Sequence, residues 1–175
     1  RYTWDEKEFG ITVPDSGGAL GNNMVIITGN EYDGGSDGGD GNLTEQTQHV
    51  DGSNTRVTEF EYDFRDRRTI VIGEVDIFQK SYFDNLDRVI KSERYNTTAV
   101  GNLIARNETK FDDRGRVFRR IQYGVNPSNG SVGNSLTSNS WFDDSGNVIK
   151  DLPAGSSLFT KTAYDSLGRG TKAYR

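Results

Sequence analysis

The chain has no cysteine and one histidine among its 175 residues. Without cysteine it can form no disulfide bond and perform no thiolate chemistry, and cysteine usage says nothing about its redox compartment. A zinc site is also disfavoured, because zinc sites draw most of their ligands from cysteine and histidine. The composition therefore points away from thiol-based and zinc-dependent functions.

Long apolar runs and an excess of positive charge are also lacking. Only 32% of the residues are hydrophobic, and no apolar run approaches the roughly 20 residues of a membrane-spanning helix. The formal net charge of -5 and the sequence pI of about 5.0 leave no basic stripe that could displace counterions from phosphate groups. We therefore expect neither a membrane span nor a nucleic-acid partner.

Proline and helical periodicity are scarce, whereas glycine is plentiful. The chain has 3 prolines and 21 glycines, and 27% of its residues are charged. This composition suits many polar hairpins better than a helical bundle or a deep apolar core. The length is sufficient for one domain, and we predict an all-β fold.

One pattern recurs along the chain: an aromatic residue, an aspartate, two free residues, glycine or aspartate, then arginine or asparagine. Its clearest copy is Phe111-Asp112-Asp113-Arg114-Gly115-Arg116-Val117, and a distorted first copy begins at Tyr32. The anchor residues of all copies are Tyr32, Asp33, Tyr62, Asp63, Phe83, Asp84, Phe111, Asp112, Gly115, Phe142, Asp143, Gly146, Tyr164, Asp165 and Gly168.

Each copy predicts the tip of an antiparallel β-hairpin. An aspartate that opens a type I turn can accept backbone hydrogen bonds, and a glycine three residues later supplies the positive φ of a bulged hairpin. Asp66 and Asp87 replace that glycine in two copies, and aspartate tolerates this conformation at a cost on the order of 1 kcal/mol. The aromatic residue then lies opposite the residue two places after the glycine. The predicted pairs are Phe83 with Val89, Phe111 with Val117, Phe142 with Val148, Tyr62 with Arg68 and Tyr164 with Gly170.

The aromatic-Asp-x-x-Gly-Arg unit resembles the YD repeat of the Rhs family, which includes bacterial Rhs proteins, toxin-complex components and teneurins. The resemblance is to the repeat unit, and it covers residues 55–175 well and residues 20–50 loosely. It implies successive antiparallel hairpins in a ribbon or open β-shell, which in that family commonly encloses a polypeptide or presents an adhesive surface. The self-cleaving core signature of the family is not recognisable, so toxin release is not implied.

The two ends of the chain set the expected organisation. Residues 1–30 fit the pattern least and predict N-terminal strands outside the repeat, whereas residues 31–175 form the hairpin array. The chain begins at Arg1, and the last tip leaves only Thr171 to Arg175 for its return strand. Both features indicate a piece of a longer chain. The expected partners are therefore the rest of that chain or identical copies, joined through sheet edges.

The first tip carries a long insertion of glycine and aspartate. Calcium selects oxygen donors of this type, and the candidate ligands are Asp37, Asp40 and Asn42 with backbone carbonyls. A Gly-Gly-x-Gly-x-Asp calcium repeat would need stacked copies and an aspartate where this chain has Leu43. A solvated hairpin loop is the favoured interpretation, so we expect no cofactor and keep calcium as the alternative.

The sequence pattern does not favour any set of catalytic residues. Asp112-Asp113 and Asp143-Asp144 could be offered as the two acids of a glycosidase, but adjacent turn residues point in different directions and the turn itself uses the first of each pair. His49 would have to complete a serine-type catalytic triad, but the sequence has no Gly-x-Ser-x-Gly motif to supply the nucleophile. The tip arginines are better explained as partners of a neighbouring aspartate or aromatic ring than as an anion site. These arginines are Arg67, Arg88, Arg116 and Arg169.

Aromatic residues are the best candidates for ligand contact. The chain has 8 tyrosines, 9 phenylalanines and 2 tryptophans, and rings on a half-polar sheet face can stack on sugars or on a partner chain. The residues selected for ligand contact are Trp4, Tyr82, Tyr95 and Trp141.

Three functions follow from these observations. The leading hypothesis is a non-enzymatic structural module of a secreted or cell-surface protein, which builds a shell, wall or filament by hairpin stacking and lateral assembly. The second is a carbohydrate-binding or adhesion module that uses exposed aromatic residues. The third is a polysaccharide-acting enzyme, which requires a cleft with two facing carboxylates.

Overall fold

The computed structural model describes residues 2–4, 24–34, 39–50, 54–74, 77–96 and 101–175. Within these ranges the chain forms fourteen β-strands and no helix, which confirms the predicted all-β class. In the same ranges there is accordingly no helix that could cross a membrane. The strands are β1 (Tyr2–Trp4), β2 (Met24–Ile26), β3 (Thr28–Tyr32), β4 (Leu43–His49), β5 (Thr55–Tyr62), β6 (Arg68–Gly73), β7 (Ile77–Phe83), β8 (Val89–Tyr95), β9 (Leu103–Phe111), β10 (Val117–Val125), β11 (Val132–Phe142), β12 (Val148–Leu152), β13 (Thr160–Tyr164) and β14 (Gly170–Tyr174).

The chain divides into two compact units, Arg1–Phe78 and Gln79–Arg175. In the first unit β1 pairs with β2, and β3, β4, β5 and β6 pair in sequence order. In the second unit the strands from β8 to β14 also pair in sequence order. All these pairs are antiparallel, and the twelve strands from β3 to β14 belong to one sheet that is not closed. Consecutive strands are therefore neighbours, as a succession of hairpins requires.

The register of the hairpins confirms most of the predicted aromatic pairs. Beside each confirmed pair the register shifts by one residue, which is the signature of a bulge next to the turn. The distorted first tip follows the same rule, with Tyr32 opposite Leu43. The pair of Phe83 with Val89 stays a prediction. The confirmed pairs are Phe111 with Val117, Phe142 with Val148, Tyr62 with Arg68 and Tyr164 with Gly170.

In the five tips from Asp63 to Asp165, the residue three places after the aspartate has the left-handed backbone conformation that the pattern predicted. Gly146 has a φ of 94°, while Asp66 and Asp87 carry the same conformation at 57° and 60°. A Cβ atom added at Gly146 would meet no atom within 4 Å. Glycine is therefore favoured there by the backbone conformation and not by lack of space.

Few side chains are buried in the described part of the chain. Phe78 and Leu103 are the buried apolar residues there, and Glu93 is the buried charged one. The strands are held mainly by ladder hydrogen bonds and by cross-strand side-chain pairs, each worth roughly 0.2 to 1 kcal/mol. Most of the other described side chains of the strands are partly or fully exposed.

Candidate functional site

Each hairpin tip is closed by its first aspartate, through both the backbone and the side chain. In the Asp112 tip, the Asp112 N–H donates to the carbonyl of Arg116 at 2.9 Å, and the Asp112 carbonyl accepts the Gly115 N–H at 2.9 Å. Oδ1 of Asp112 accepts the N–H groups of Arg114 at 3.0 Å and of Arg116 at 2.9 Å. The carboxylate thus satisfies donors that the turn would otherwise leave unpaired.

Four other tips repeat this arrangement. In each of them the aspartate N–H donates to the carbonyl four residues later at 3.0 Å. Its Oδ1 accepts the N–H of that same residue at 2.8 to 3.2 Å. The aspartates of these tips are Asp63, Asp84, Asp143 and Asp165.

The arginine four residues after the aspartate binds the other carboxylate oxygen. Nε of Arg116 donates to Oδ2 of Asp112 at 2.7 Å, and the other three Asp–Arg tips have the same bond at 2.7 to 2.8 Å. In the Asp143 tip, Nδ2 of Asn147 takes this place at 2.9 Å. The predicted pairing of each tip arginine with a neighbouring aspartate is therefore present.

These contacts lower the pKa of the tip aspartates below the ordinary value of 3.8. For Asp63 the largest cause is the hydrogen bond from the Arg67 side chain. For Asp112 burial acts first and raises the pKa, but the backbone and side-chain hydrogen bonds from Arg116 outweigh it. The other aspartates with a lowered pKa are Asp84, Asp143 and Asp165.

Two tip arginines also reach the following hairpin. The guanidinium of Arg116 lies 4.6 Å from the ring centroid of Phe142, and its Nη1 donates to the carbonyl of Asp143 at 2.9 Å. The guanidinium of Arg88 lies 4.3 Å from the ring centroid of Phe111. Each of these arginines thus closes its own turn and covers the anchor ring of the next tip, at distances typical of cation–π contacts.

The first tip is closed by Asp33 in the same way across its long insertion. The Asp33 N–H donates to the Asn42 carbonyl at 2.9 Å, and Asp33 Oδ1 accepts the N–H groups of Gly41 at 2.6 Å and Asn42 at 3.1 Å. Nδ2 of Asn42 donates to Asp66 Oδ1 at 3.0 Å. The calcium candidate Asp37 lies outside the described residues, and Asp40 is exposed. No three metal-binding side chains cluster in the ranges that are described, and calcium binding stays a prediction.

A buried carboxylate, which no motif of the sequence marks, joins β7, β8 and β9. Oε2 of Glu93 accepts the hydroxyl groups of Tyr82 at 2.8 Å and Tyr95 at 2.9 Å. Its Oε1 lies 3.3 Å from Nζ of Lys91 and 3.7 Å from Nε of Arg106. Two of the residues predicted to contact a ligand, Tyr82 and Tyr95, therefore direct their hydroxyl groups to a carboxylate of their own chain.

The contacts of Glu93 also change the acidity of the groups around it. Burial would raise the pKa of Glu93, but the hydrogen bonds from Tyr82, Tyr95 and Lys91 outweigh burial and the pKa is lowered. Burial and the hydrogen bond to Glu93 raise the pKa of Tyr82 to about 12. The same two causes raise the pKa of Tyr95. The Glu93 carboxylate thus satisfies both tyrosine hydroxyl groups and stabilises the strands that it joins, whereas Nε of Arg106 is buried there without a hydrogen-bond partner.

A second group of side chains crosses the last four strands. Trp141 lies opposite Lys150, Lys150 opposite Lys161, and Lys161 opposite Tyr174 in the register of β11 to β14. Directly opposite residues share one face of a sheet. Nζ of Lys150 lies 4.4 Å from the ring centroid of Trp141 and 4.4 Å from that of Phe159. We call these four residues, with Phe159 beside them, the aromatic–lysine row.

The aromatic–lysine row is open to solvent. Its rings are partly exposed, with fractions of 41% for Trp141, 40% for Phe159 and 54% for Tyr174. A shallow cavity of about 540 Å³ is lined by Trp141, Tyr174 and the two lysines of the row, among others. Trp141 is therefore the predicted contact residue that the structure places on an open surface. The side chain of Trp4 lies outside the described residues.

The acid pairs considered for catalysis are divided by their turns. Asp112 and Asp143 are half-buried and bound to their own backbone, whereas Asp113 and Asp144 are exposed. Asp144 lies 3.4 Å from Nη2 of Arg114. His49 lies in β4 opposite Thr55. The two members of each pair therefore have different surroundings.

Comparison with known proteins shows a distant likeness to solved structures. No family model matches the chain, and no curated protein matches it. Among solved structures, a chain of the TcdB2–TccC3–Cdc42 complex is similar over 76% of this chain, with 14% sequence identity and a TM-score of 0.40. This chain spans 8% of the length of that one. The functional interpretation therefore depends on the geometry of the chain itself.

The lowered pKa of Asp112 leads to a testable dependence of stability on pH. A carboxyl whose pKa is lower in the folded state contributes stability above its ordinary pKa, and this contribution is lost as pH falls through the folded value. Asp112→Asn is expected to reduce the free energy of unfolding most at neutral pH and least in acid. Urea unfolding from about pH 7 to about pH 2 measures the difference.

The matched control for this experiment is Asp113→Asn, which removes the same charge from an exposed neighbour in the same tip. The control is expected to leave the shape of the wild-type curve unchanged. A constant difference between Asp112→Asn and wild type at every pH would contradict the assigned role of the Asp112 carboxylate.

The raised pKa of Tyr82 gives a second prediction, at alkaline pH. The folded chain holds the Tyr82 proton more tightly than the unfolded chain does. The contribution of this proton to stability is therefore fully present below the ordinary pKa of 10.0 and is lost as pH rises toward about 12. Tyr82→Phe is expected to remove one tyrosinate absorbance step near pH 12. Tyr174→Phe, at an exposed tyrosine, is the matched control and should retain that step. A spectrum in which both variants lose the same step would disprove the assignment to Tyr82.

Proposed function

We propose that the chain is a non-enzymatic structural repeat module of the YD-repeat kind. It belongs to a secreted or cell-surface protein and builds a β-shell, wall or filament by hairpin stacking and lateral assembly. The observation that carries this proposal is the tip arginine that binds the aspartate of its own turn and covers the ring of the next hairpin. The shared repeat pattern supports placing the module outside the cell.

The engagement of the tip carboxylates supports a scaffold over a catalyst. The Asp112 carboxylate accepts two backbone N–H groups and an arginine Nε. A general acid or base must instead reach the proton of a substrate. Because the same engagement recurs from tip to tip, the repeated carboxylates serve the turns that they open.

The contacts between hairpins support stacking as the principle of assembly. Arg88 joins the Asp84 tip to the Asp112 tip, and Arg116 joins the Asp112 tip to the Asp143 tip. A cation–π contact of this kind contributes about 0.5 to 1 kcal/mol at an exposed site. Repeat proteins are stabilised in this manner, by interactions between each unit and its direct neighbours.

Sheet edges supply the means of lateral assembly. β14 is an edge strand of the twelve-stranded sheet, and all five of its residues are exposed. An exposed edge presents unpaired N–H and C=O groups to any further strand. Identical copies, or other strands of the parent protein, are the partners that this edge fits.

Coupling between neighbouring tips is the first test of the proposal. Arg116→Met should accelerate amide hydrogen exchange in the Asp143 tip as well as in its own, because the variant loses the contact with Phe142. A double-mutant cycle with Phe142→Leu is expected to give a coupling free energy of about 0.5 to 1 kcal/mol.

Arg169→Met is the matched control for this coupling. Arg169 binds Asp165 with an Nε–Oδ2 distance of 2.7 Å, and within the described ranges it covers no aromatic ring. Its effect on hydrogen exchange is therefore expected to stay within its own tip. Strictly additive effects of the Arg116 and Phe142 substitutions would refute stacking through the tips.

Self-association tests the proposed lateral assembly. Sedimentation velocity of the isolated chain over a dilution series is expected to show oligomers that dissociate on dilution. Ala173→Lys places a charge on the exposed edge strand and should shift the population toward monomer, whereas Leu167→Lys, at an exposed tip position, should not. A strict monomer at the highest concentration would count against assembly through this edge.

A second candidate function is carbohydrate binding or adhesion, which the aromatic–lysine row favours. Exposed rings on one sheet face offer flat apolar surfaces next to polar groups, as sugar-binding sites require. A glycan-array screen is expected to detect binding that Trp141→Ala abolishes. Phe64→Ala, at a ring that is 92% exposed in the Asp63 tip, is the control. Equal glycan profiles for wild type and Trp141→Ala would exclude this candidate.

A further inference from the structure

Two lysines face each other directly at the centre of the aromatic–lysine row. Lys150 lies opposite Lys161 in the β12–β13 pair, which places their Cα atoms about 5 Å apart. Like charges in this position destabilise a sheet. Across the described part of the chain, no carboxylate lies within ion-pair distance of either ammonium group.

Two other cations on the sheet, Lys91 and Arg106, are compensated by nearby acids. Lys91 lies 3.3 Å from the Glu93 carboxylate, and Arg106 lies 2.9 Å from that of Glu108. The nearest acid in sequence to the lysine pair is Asp151, which lies on the opposite face and accepts the Ser140 hydroxyl at 2.7 Å. In a chain with a net charge of -5, the lysine pair is thus a local basic site whose repulsion a bound anion would relieve.

The rings of the row specify what kind of anion fits. Trp141 and Tyr174 stand at the two ends of the row, three strand spacings or about 14 Å apart. That distance is longer than a single sugar ring and suits a short chain of sugars. A small inorganic anion would engage the lysines and leave the rings unused. A chain of sugar rings would use both, because the C–H faces of sugars stack on aromatic side chains.

We propose that the aromatic–lysine row binds a polysaccharide whose sugar rings carry carboxylate groups. The sugar faces stack on Trp141 and Tyr174, and the carboxylates bind Lys150 and Lys161. Nζ of Lys150 lies 4.4 Å from the Trp141 ring centroid, so an anion bound by Lys150 lies beside whatever stacks on that ring. A carboxylate bonded directly to a ring carbon of the sugar meets this requirement. The inference rests on the second candidate function and names its ligand class.

Isothermal titration with oligogalacturonate tests this inference. The matched probe is the methyl-esterified oligosaccharide, which keeps the rings and removes the charge. We expect the acid form to bind at least about tenfold more tightly than the ester, since hydrogen bonds to charged groups are the stronger ones. Added salt should weaken binding of the acid form by screening the lysines.

Variants of the row assign the contacts. Lys150→Met and Lys161→Met keep the apolar stem and remove the charge, and each is expected to weaken binding of the acid form about tenfold. Trp141→Ala and Tyr174→Ala should weaken binding of both forms. Arg120→Met is the charge-matched control. Arg120 is exposed on β10. Its neighbour Arg119 pairs with Asn139 and therefore lies on the same sheet face as Trp141. Because successive strand residues alternate between the two faces, Arg120 lies on the opposite face.

The outcomes separate this inference from the functions on which it depends. If the acid and the ester bind equally tightly and Trp141→Ala loses binding of both, the carboxylate assignment is overturned and the carbohydrate-binding candidate stands. Tighter binding of dextran sulfate would likewise overturn it, and equal binding of polyglutamate would overturn the role of the sugar. No binding in any arm would overturn both this inference and the carbohydrate-binding candidate, while the structural role is decided by the Arg116 experiments. If Trp141→Ala fails to fold, the two lysine variants decide.

Discussion

The capture of backbone N–H groups by an aspartate carboxylate is the interaction on which the hairpin array depends. At the Asp112 tip one oxygen accepts two N–H groups of the turn and the other binds the arginine that follows. This arrangement fixes the turn, and the turn fixes the register of the two strands that leave it. The cross-strand pairs within each hairpin follow from these registers, as for Trp141 with Lys150 and Lys161 with Tyr174. The pair of Lys150 with Lys161 lies between two hairpins.

The tips were predictable from the sequence because their physics is local. The aromatic residue, the aspartate and the left-handed residue lie within seven consecutive positions, and turn chemistry links them without help from the rest of the chain. Phe111 opposite Val117 and Tyr164 opposite Gly170 were found in this way. The same argument predicted that Asp66 adopts the left-handed conformation of a glycine, and its φ is 57°.

The side-chain groups between the tips were not predictable to the same degree. The contact of Tyr82 with Glu93 depends on the register between neighbouring strands, as does the row from Trp141 to Tyr174. This register cannot be read from the sequence because the loops between the strands differ in length. Alternation along β8 places Glu93 and Tyr95 on one face, but it does not indicate that the acid is buried there. Trp141 could be selected as exposed, whereas its lysine neighbours could be identified only once the register was known.

The scarcity of buried apolar side chains has a thermodynamic consequence. Unfolding raises the heat capacity chiefly by exposing apolar surface to water, by about 12 to 15 cal/mol/K per residue in ordinary globular domains. Phe78 and Leu103 are the buried apolar residues of the described ranges, so these ranges release less apolar surface than a domain with a deep apolar core. We therefore expect a stability curve that is broader and shallower than that of such a domain.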